Sequence, residues 1–216
     1  MKREWIYFWG RLVDGRFFHF ARFRHDKKTY SHLSLDGTFY EGDWIAGKHF
    51  FTTPHLKLGA EPFSNHVMHY ASSSYYYYSI PFLSGVAQLV PHGKKVPADL
   101  WFDYESTGED EIEDWEWVSF KLPNHMAVLI YKREKNAFAK LIIKDKVVSS
   151  SFEIEGDQIS LCDLGITYKM EVLKPEIIFH PAYGRDYSEQ PFQVTFKGRL
   201  VGYGMRERTY SAKKES

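Results

Sequence analysis

The sequence predicts an all-β protein built from two antiparallel, barrel-like lobes with little helix. Roughly fifteen short strand-like runs follow one another at near-regular spacing, which is typical of β-sandwiches and barrels. Aromatic residues make up 18% of the chain, and they favour half-buried pleated surfaces. No stretch shows a sustained helical period with caps at both ends. Because about eight strands close one small filled barrel, this number of strands favours two lobes over one.

The first two runs predict a hairpin. Residues 4–12 form an aromatic-rich strand, and Asp14-Gly15 provides a turn signal. Residues 16–24 follow, with aromatic side chains at both odd and even positions. A strand with apolar side chains on both of its faces is expected to pack against a layer on each side.

The remaining runs are separated by turn residues such as Asp36-Gly37 and Glu155-Gly156. These predicted strands lie at residues 29–35, 38–45, 65–70, 75–82, 86–90, 96–102, 114–122, 127–133, 137–143, 147–154, 158–162, 167–172 and 192–208.

The same pattern predicts how the chain is divided. We predict an N-terminal lobe over residues 1–83, a C-terminal lobe over residues 84–210 and a disordered tail over residues 211–216. Two stretches are the least strand-like and are the candidate boundaries. They are the segment 52–64, which contains proline and glycine, and the acidic loop 106–113.

Charge and cysteine content exclude several classes of protein. Lysine plus arginine number 28 and aspartate plus glutamate number 28, so a nucleic-acid partner is not expected. The single cysteine, Cys162, cannot form an internal disulfide, and its apolar neighbours predict a small buried side chain. The N-terminus lacks a signal-peptide core, and no apolar run approaches the length of a membrane span. We therefore expect a cytoplasmic protein without an integral membrane segment.

The sequence also lacks the motifs of several cofactor and metal sites. Neither the Walker phosphate loop nor the dinucleotide-binding glycine triplet is present, and no Gly-x-Ser-x-Gly nucleophile elbow occurs. His66 and His69 are three residues apart, so on a strand they would point to opposite faces and could not chelate one ion. We expect no cofactor and no metal site.

The most informative segment is acidic and runs from Asp99 to Glu105. On a strand, Asp99, Trp101, Asp103 and Glu105 would share one face. One interpretation is an exposed acidic edge strand. The other is an acid site beside an aromatic wall, in which neighbouring like charges raise at least one carboxyl pKa.

A second aromatic segment follows at residues 114–120. Trp115 and Trp117 would share a face, while Glu116 and Phe120 would lie on the opposite one. Core packing and ligand binding are both compatible with this pattern.

Several segments together resemble the hydroxyneurosporene synthase (carotenoid 1,2-hydratase) and AttH-like family. The start EWIYFWGRL is similar to that family's Glu-Trp-Trp-Tyr-Phe-x-Gly-x-Leu, and the segment YYYSIP is similar to its Tyr-Tyr-Ser segment. Residues 94–105 resemble its Gly-x-x-x-Val-x-Gly-x-x-Trp-x-Asp-His-Glu signature. DWEW and the closing GYGMRE resemble two later segments. The order of these motifs covers nearly the whole chain, although the signature histidine is Tyr104 here and the chain is shorter than usual members.

The resemblance implies two lipocalin-like (calycin-like) barrel lobes and a small hydrophobic ligand. Members of the family add water to isolated alkenes, and relatives catalyse Diels–Alder cyclisations. The implied function is binding of a hydrophobic polyene, isoprenoid or polyketide, with hydratase (hydro-lyase) or cyclase activity from a buried carboxylic acid. The alternatives are a non-catalytic carrier of a small apolar ligand and a Diels–Alderase that relies on shape. The oligomeric state stays open.

Specific residues can be assigned to these roles. Adding water to an unactivated alkene needs a strong proton donor, and an aspartate held protonated by burial could supply it. We predict that Asp103 is that donor and that Glu105 is its partner or the base that activates water. The predicted ligand-binding residues are aromatic: Trp101, Trp5, Tyr7, Tyr76, Tyr78, Trp115 and Trp117.

Overall fold

The computed structural model describes residues 3–25, 27–62, 67–71, 75–108, 114–133, 137–143, 146–179 and 185–211, without the side chains of Pro62, Arg185 and Ser211. Strands contain 79% of these residues, and one 3₁₀ turn, Cys162–Leu164, is the helical element among them. The chain divides into two compact units, Met1–Glu111 and Ile112–Ser216. Each unit contains one antiparallel sheet that curls into a barrel-like lobe, which confirms the predicted fold class.

Unit 1 contains ten strands in one sheet. They are β1 (Arg3–Leu12), β2 (Phe17–His25), β3 (Lys28–Leu35), β4 (Thr38–Gly42), β5 (Ile45–Gly47), β6 (Phe50–Thr52), β7 (Leu56–Pro62), β8 (Met68–Ala71), β9 (Tyr75–Leu89) and β10 (Lys95–Thr107). Their order in the sheet is β4-β3-β2-β1-β10-β9-β7-β6-β5, and β8 pairs with β9. The long strands β1, β10 and β9 therefore lie side by side in the middle of the sheet.

The hydrophobic core of unit 1 is built from one face of this sheet. Even-numbered positions of β1, β2 and β10 supply large side chains, among them Phe8, Phe20 and Phe102, which are at most 1% exposed. Phe51 of β6 stacks on Phe20, with ring centroids 4.3 Å apart. Because side chains alternate along a strand, the odd-numbered positions of the same strands point to the other face.

Unit 2 repeats the arrangement. Its strands are β11 (Trp115–Leu122), β12 (Met126–Arg133), β13 (Ala137–Ile143), β14 (Lys146–Ser150), β15 (Phe152–Glu155), β16 (Gln158–Leu161), β17 (Ile166–Val172), β18 (Ile177–Phe179), β19 (Arg185–Phe196) and β20 (Arg199–Ser211). The order is β14-β13-β12-β11-β20-β19-β17-β16-β15, and β18 pairs with β19. Its core includes Val118, Phe120, Ile130, Leu141 and Phe192, all at most 2% exposed.

Turns lie where the sequence signals them. Asp36 and Gly37 both have positive φ (52° and 92°), as a two-residue type I′ hairpin between β3 and β4 requires. Gly156 has φ 60° in the tight turn between β15 and β16. Gly15 has φ 92° in the turn after β1.

The division between the lobes differs from the one predicted. A boundary between residues 83 and 84 falls inside β9, whose residues pair continuously with β10 and β7. The structure divides the chain between Glu111 and Ile112, within the second candidate boundary, the acidic loop 106–113.

Several smaller predictions can also be compared with the structure. Cys162 is exposed, so the prediction of a buried thiol was wrong. The neighbouring Ile159 and Leu161 are buried in the core, whereas Cys162 begins a 3₁₀ turn that has no buried residue. His66 and the tail 212–216 lie outside the described residues. No helix in the described ranges is long and apolar enough to cross a membrane.

Candidate functional site

Asp103 lies near the centre of unit 1, on a strand with neighbours on both sides. β10 pairs with β1 on one side and with β9 on the other, so it is not an edge strand. Leu100 and Phe102 belong to the core, whereas Trp101 and Asp103 project from the opposite face. Asp103 is nevertheless only 4% exposed. The interpretation as an exposed acidic edge strand is therefore wrong.

Three polar groups converge on one oxygen of the Asp103 carboxyl group. Oδ1 accepts hydrogen bonds from the Tyr77 hydroxyl (2.6 Å), from the Trp101 indole Nε1 (3.0 Å) and from the Ser79 hydroxyl. The other oxygen, Oδ2, is buried and has no hydrogen-bond partner among the described residues. The two oxygens of one carboxyl group thus have different environments.

This asymmetry determines where a proton on Asp103 resides. An indole N–H can only donate, so Oδ1 acts as an acceptor towards Trp101. A protonated Asp103 therefore carries its hydrogen on Oδ2, the oxygen without a partner. Oδ2–H is then free to donate to a molecule placed against this face of the sheet.

Burial makes the protonated form accessible near neutral pH. It raises the pKa of Asp103 from 3.8 to about 7, because a carboxylate loses its hydration inside the protein. The hydrogen bonds from Ser79, Tyr77 and Trp101 act in the opposite direction, since they stabilise the charged form. The negative charge of Glu105 adds a further upward contribution.

The other predicted residues of strands β1 and β10 share this face. Tyr7 lies directly opposite Asp103 across the β1–β10 pair, and Trp5 lies opposite Glu105. Tyr7 is buried, while Trp5 and Glu105 are half-buried. Trp101 is fully buried and stacks on Trp9, with ring centroids 5.7 Å apart and planes 16° apart. Asp103 therefore lies beside a continuous aromatic surface.

Tyr76 and Tyr78 lie on the other face of β9. Tyr78 is directly opposite Tyr104, packs against the core and has its pKa raised to about 12, mainly by burial. Tyr76 is 45% exposed. Neither residue is brought to Asp103, so their role in ligand binding stays a prediction. Tyr104 faces away from Asp103, as a regular strand predicts.

Trp115 and Trp117 belong to unit 2. They share one face of β11, with Phe120 in the core on the other face, as predicted. Trp117 is 5% exposed, and the half-buried Trp115 contacts the ring of Tyr187 at a centroid distance of 5.8 Å. Glu116 faces away from both tryptophans and forms an ion pair with Arg206.

Sequence reasoning missed four polar residues on the Asp103 face of the sheet. Tyr77 and Ser79 lie on β9, one strand away, and their contact with Asp103 depends on the pairing register between β9 and β10. The Tyr-Tyr-Ser segment was the available signal, but its parity relative to Asp103 could not be known. His19 and His32 come from β2 and β3, on the far side of β1.

His19 and His32 extend the buried polar surface of unit 1. The ring of Tyr7 lies 4.3 Å from that of His19, which lies 5.0 Å from that of His32. Both histidines are 1% exposed. Burial lowers the pKa of His32 to about 3 and that of His19 well below its usual value, so both imidazoles are neutral at pH 7.

Comparison with known proteins shows the fold. No protein-family model and no curated protein matches the chain. Among solved structures, an AttH-like protein from Nitrosomonas europaea has a TM-score of 0.72 at 16% identity, over 96% of this chain and 92% of its own. This chain has the two-lobed lipocalin-like fold of AttH-like proteins.

Two further solved structures have the same fold. Kievitone hydratase from Nectria haematococca matches with a TM-score of 0.63 at 13% identity, over 97% of this chain and 89% of its own. CghA, solved with Sch210972, matches with a TM-score of 0.62 at 11% identity, over 97% of this chain and 88% of its own. The architecture predicted from the motifs is thereby confirmed.

Proposed function

We propose that this chain binds a hydrophobic polyene, isoprenoid or polyketide in the cytoplasm and uses Asp103 as a proton donor, as a hydratase (hydro-lyase) or cyclase does. The observation that carries this proposal is the buried Asp103 carboxyl group, whose Oδ1 accepts three hydrogen bonds while Oδ2 has no partner among the described residues. A purely structural carboxyl group is expected to have both oxygens satisfied. The match to a kievitone hydratase, which shares the fold, agrees with a hydratase.

The proposed reaction conserves protons. Asp103 Oδ2–H transfers its proton to one alkene carbon, which leaves a carbocation on the neighbouring carbon and a carboxylate on Asp103. Water adds to the cation and forms a C–O bond. The oxonium then loses a proton, which returns the carboxyl group to its protonated form. The sum is alkene plus water to alcohol. In a cyclase, a second alkene of the same molecule attacks the cation in place of water. The new cation then loses a proton from a neighbouring carbon to the Asp103 carboxylate, which forms an alkene and regenerates the acid.

The neighbouring residues favour each step. The Trp101 ring, held by its stack on Trp9 and by its hydrogen bond to Asp103, presents an aromatic face next to the reacting carbon. One such face stabilises a cation by about 0.5–2 kcal/mol. Glu105 shares this face of β10 and is half-buried, so it can orient the attacking water or accept its proton.

Binding is tested by tryptophan fluorescence. The titrants are isoprenoid alcohols, ionones, short carotenoid analogues and flavonoids. We expect saturable quenching by one class, and a weaker response from the Trp101→Phe variant. Absence of a saturable response from every class would contradict the proposed ligand chemistry.

Catalysis is tested with the class that binds, in isotope-labelled water. We expect Asp103→Asn to lower turnover by about 10²–10⁴, because general acid catalysis contributes about that factor. Asp99→Asn is the matched control, since Asp99 lies on the same face of β10 and opposite Arg11; its turnover should stay within about threefold. Equal turnover of wild type and Asp103→Asn would show that Asp103 is not the acid.

Two other functions would give different results. A carrier would bind the ligand without converting it, and Asp103→Asn would leave its affinity nearly intact. A cyclase that relies on shape alone would keep its rate in Asp103→Asn and lose it in Trp101→Phe.

A further inference from the structure

Unit 2 contains a second buried carboxyl group with one unpartnered oxygen. Glu207 of β20 is 3% exposed, and its Oε2 accepts a hydrogen bond from the Tyr187 hydroxyl. Its Oε1 is buried and has no hydrogen-bond partner in the described part of the chain. This pattern resembles that of Asp103, but the elements are β19 and β20.

A second buried polar atom without a partner in the described part of the chain lies on the same face of β20. Thr209 is two residues further along β20, so its side chain projects from the same face as Glu207. Thr209 is also 3% exposed, and its Oγ1 has no hydrogen-bond partner within the described ranges. Each buried polar group left without a partner costs about 1–3 kcal/mol. Two such groups on one face therefore indicate a site that a ligand completes.

The charge distribution favours a neutral Glu207. Burial raises its pKa well above the usual value. Glu189, which is 1% exposed, lies directly opposite on β19. Arg206 and Arg208, the sequence neighbours of Glu207, pair with Glu116 and Glu176 on the other face.

The chemistry of a matching ligand follows from these atoms. Tyr187 donates to Oε2, so the proton of a neutral Glu207 resides on Oε1, on the same face of β20 as the Thr209 hydroxyl. The pair can donate to a carbonyl oxygen or exchange hydrogen bonds with a hydroxyl group. Trp117, directly opposite Glu207, and the ring of Tyr187 provide apolar surface on either side.

We propose that Glu207 and Thr209 form a second ligand site, in unit 2, which hydrogen-bonds the carbonyl or hydroxyl oxygen of a neutral, largely apolar organic molecule. The site uses neither Asp103 nor its hydrogen-bond partners Tyr77, Ser79 and Trp101, so it goes beyond the function proposed above.

The experiment uses the full chain labelled with 5-fluorotryptophan. The six tryptophans give separate ¹⁹F signals, and Trp117→Phe assigns the signal next to Glu207. The probe is β-ionone, which carries a ketone, and its counterpart is ionene, a hydrocarbon of the same carbon number. We expect β-ionone to shift the Trp117 signal saturably and ionene to bind at least about threefold more weakly.

Variants separate the hydrogen bonds from packing. Glu207→Gln keeps an N–H donor and a carbonyl acceptor, so affinity for β-ionone should stay within about threefold. Glu207→Leu should weaken it about tenfold, the factor that corresponds to about 1.4 kcal/mol. Thr209→Val, an isosteric change, should weaken it about threefold to tenfold and serves if Glu207→Leu does not fold.

Three results would overturn the proposal: no shift of the Trp117 signal with β-ionone, equal affinity for β-ionone and ionene, or unchanged affinity in both Glu207→Leu and Thr209→Val. Asp103→Asn should leave the Trp117 response intact. Loss of activity at Asp103 and loss of binding at Glu207 are therefore read out separately.

Discussion

At Asp103, burial and hydrogen bonding shift the pKa in opposite directions, and burial prevails. Three donors to Oδ1 would by themselves hold the pKa of an aspartate below its usual value. Loss of hydration raises it to about 7. The hydrogen bonds therefore orient the carboxyl group, while burial keeps it protonated up to neutral pH.

This shift predicts how the free energy of unfolding depends on pH. Between pH 3.8 and about 7, Asp103 is ionised in the unfolded chain and protonated in the folded one, so stability falls as pH rises. The full penalty at pH 8 is about 4 kcal/mol, since each pKa unit corresponds to about 1.4 kcal/mol. We expect Asp103→Asn to raise the free energy of unfolding, measured with urea, at pH 8 but not at pH 4.

Asp163 is a matched control, because its pKa shift and the resulting pH dependence of stability have the opposite sign. Asp163 is exposed, and hydrogen bonds from the backbone and side chain of Ser151 lower its pKa. Its stabilisation is present above its unfolded pKa and is lost as pH falls. Asp163→Asn should therefore lose stability at neutral pH. If Asp103→Asn did not raise the free energy of unfolding at pH 8, ionised Asp103 would not destabilise the folded chain, and the proposed pKa shift would be wrong.

At the scale of single residues, the sequence could predict the face but not the contacts. The spacing of Trp101, Asp103 and Glu105 is enough to place them together, because strand alternation is a local property. The partners Tyr77 and Ser79 depend on the register of β9 against β10. The register shifts between Leu100 and Phe102, and no local sequence pattern indicates this irregularity.

At the scale of elements, strand β1 must approach β10 closely for the site to form. A Cβ at Gly10 would lie 2.6 Å from the backbone oxygen of Asp99 and 2.7 Å from a methyl group of Leu100. The backbone oxygen is fixed by strand pairing and cannot move aside. Glycine at this position therefore allows β1 to place Tyr7 opposite Asp103.

We expect Gly10→Ala to destabilise the chain by about 1–3 kcal/mol, the usual cost of overpacking. Gly59→Ala on β7 is the control, because a Cβ there meets nothing within 4 Å. It should change stability by less than about 1 kcal/mol. Thermal unfolding followed by circular dichroism makes the comparison. Equal melting temperatures for the two variants would contradict the close approach of β1 and β10.

At the scale of the whole molecule, composition and turn spacing were enough to predict two all-β lobes. The boundary between residues 83 and 84 was misplaced because residues 75–82 and 86–90 were predicted as two strands, whereas β9 is one strand, Tyr75–Leu89, in the interior of the sheet. The acidic loop was the better signal, since charged residues suit an exposed connection between two cores.

Function is less predictable than fold at this scale. Neighbours with the same architecture share only 11–16% identity with this chain, so the chemistry must be argued from the site itself. Tyr104, which stands where the resembling signature has a histidine, packs against the core of unit 1. The proposed chemistry therefore depends on Asp103 and the aromatic residues around it.

Asp103 can act as a proton donor only if the folded chain holds it protonated near neutral pH. The direct measurement is a ¹³C NMR titration of side-chain carboxyl signals in protein labelled at aspartate, with Asp103→Asn used to assign the Asp103 signal. We predict a midpoint near pH 7, in line with a pKa of about 7. A midpoint near 4, the ordinary value for an exposed aspartate, would contradict the account and remove Asp103 as the proton donor.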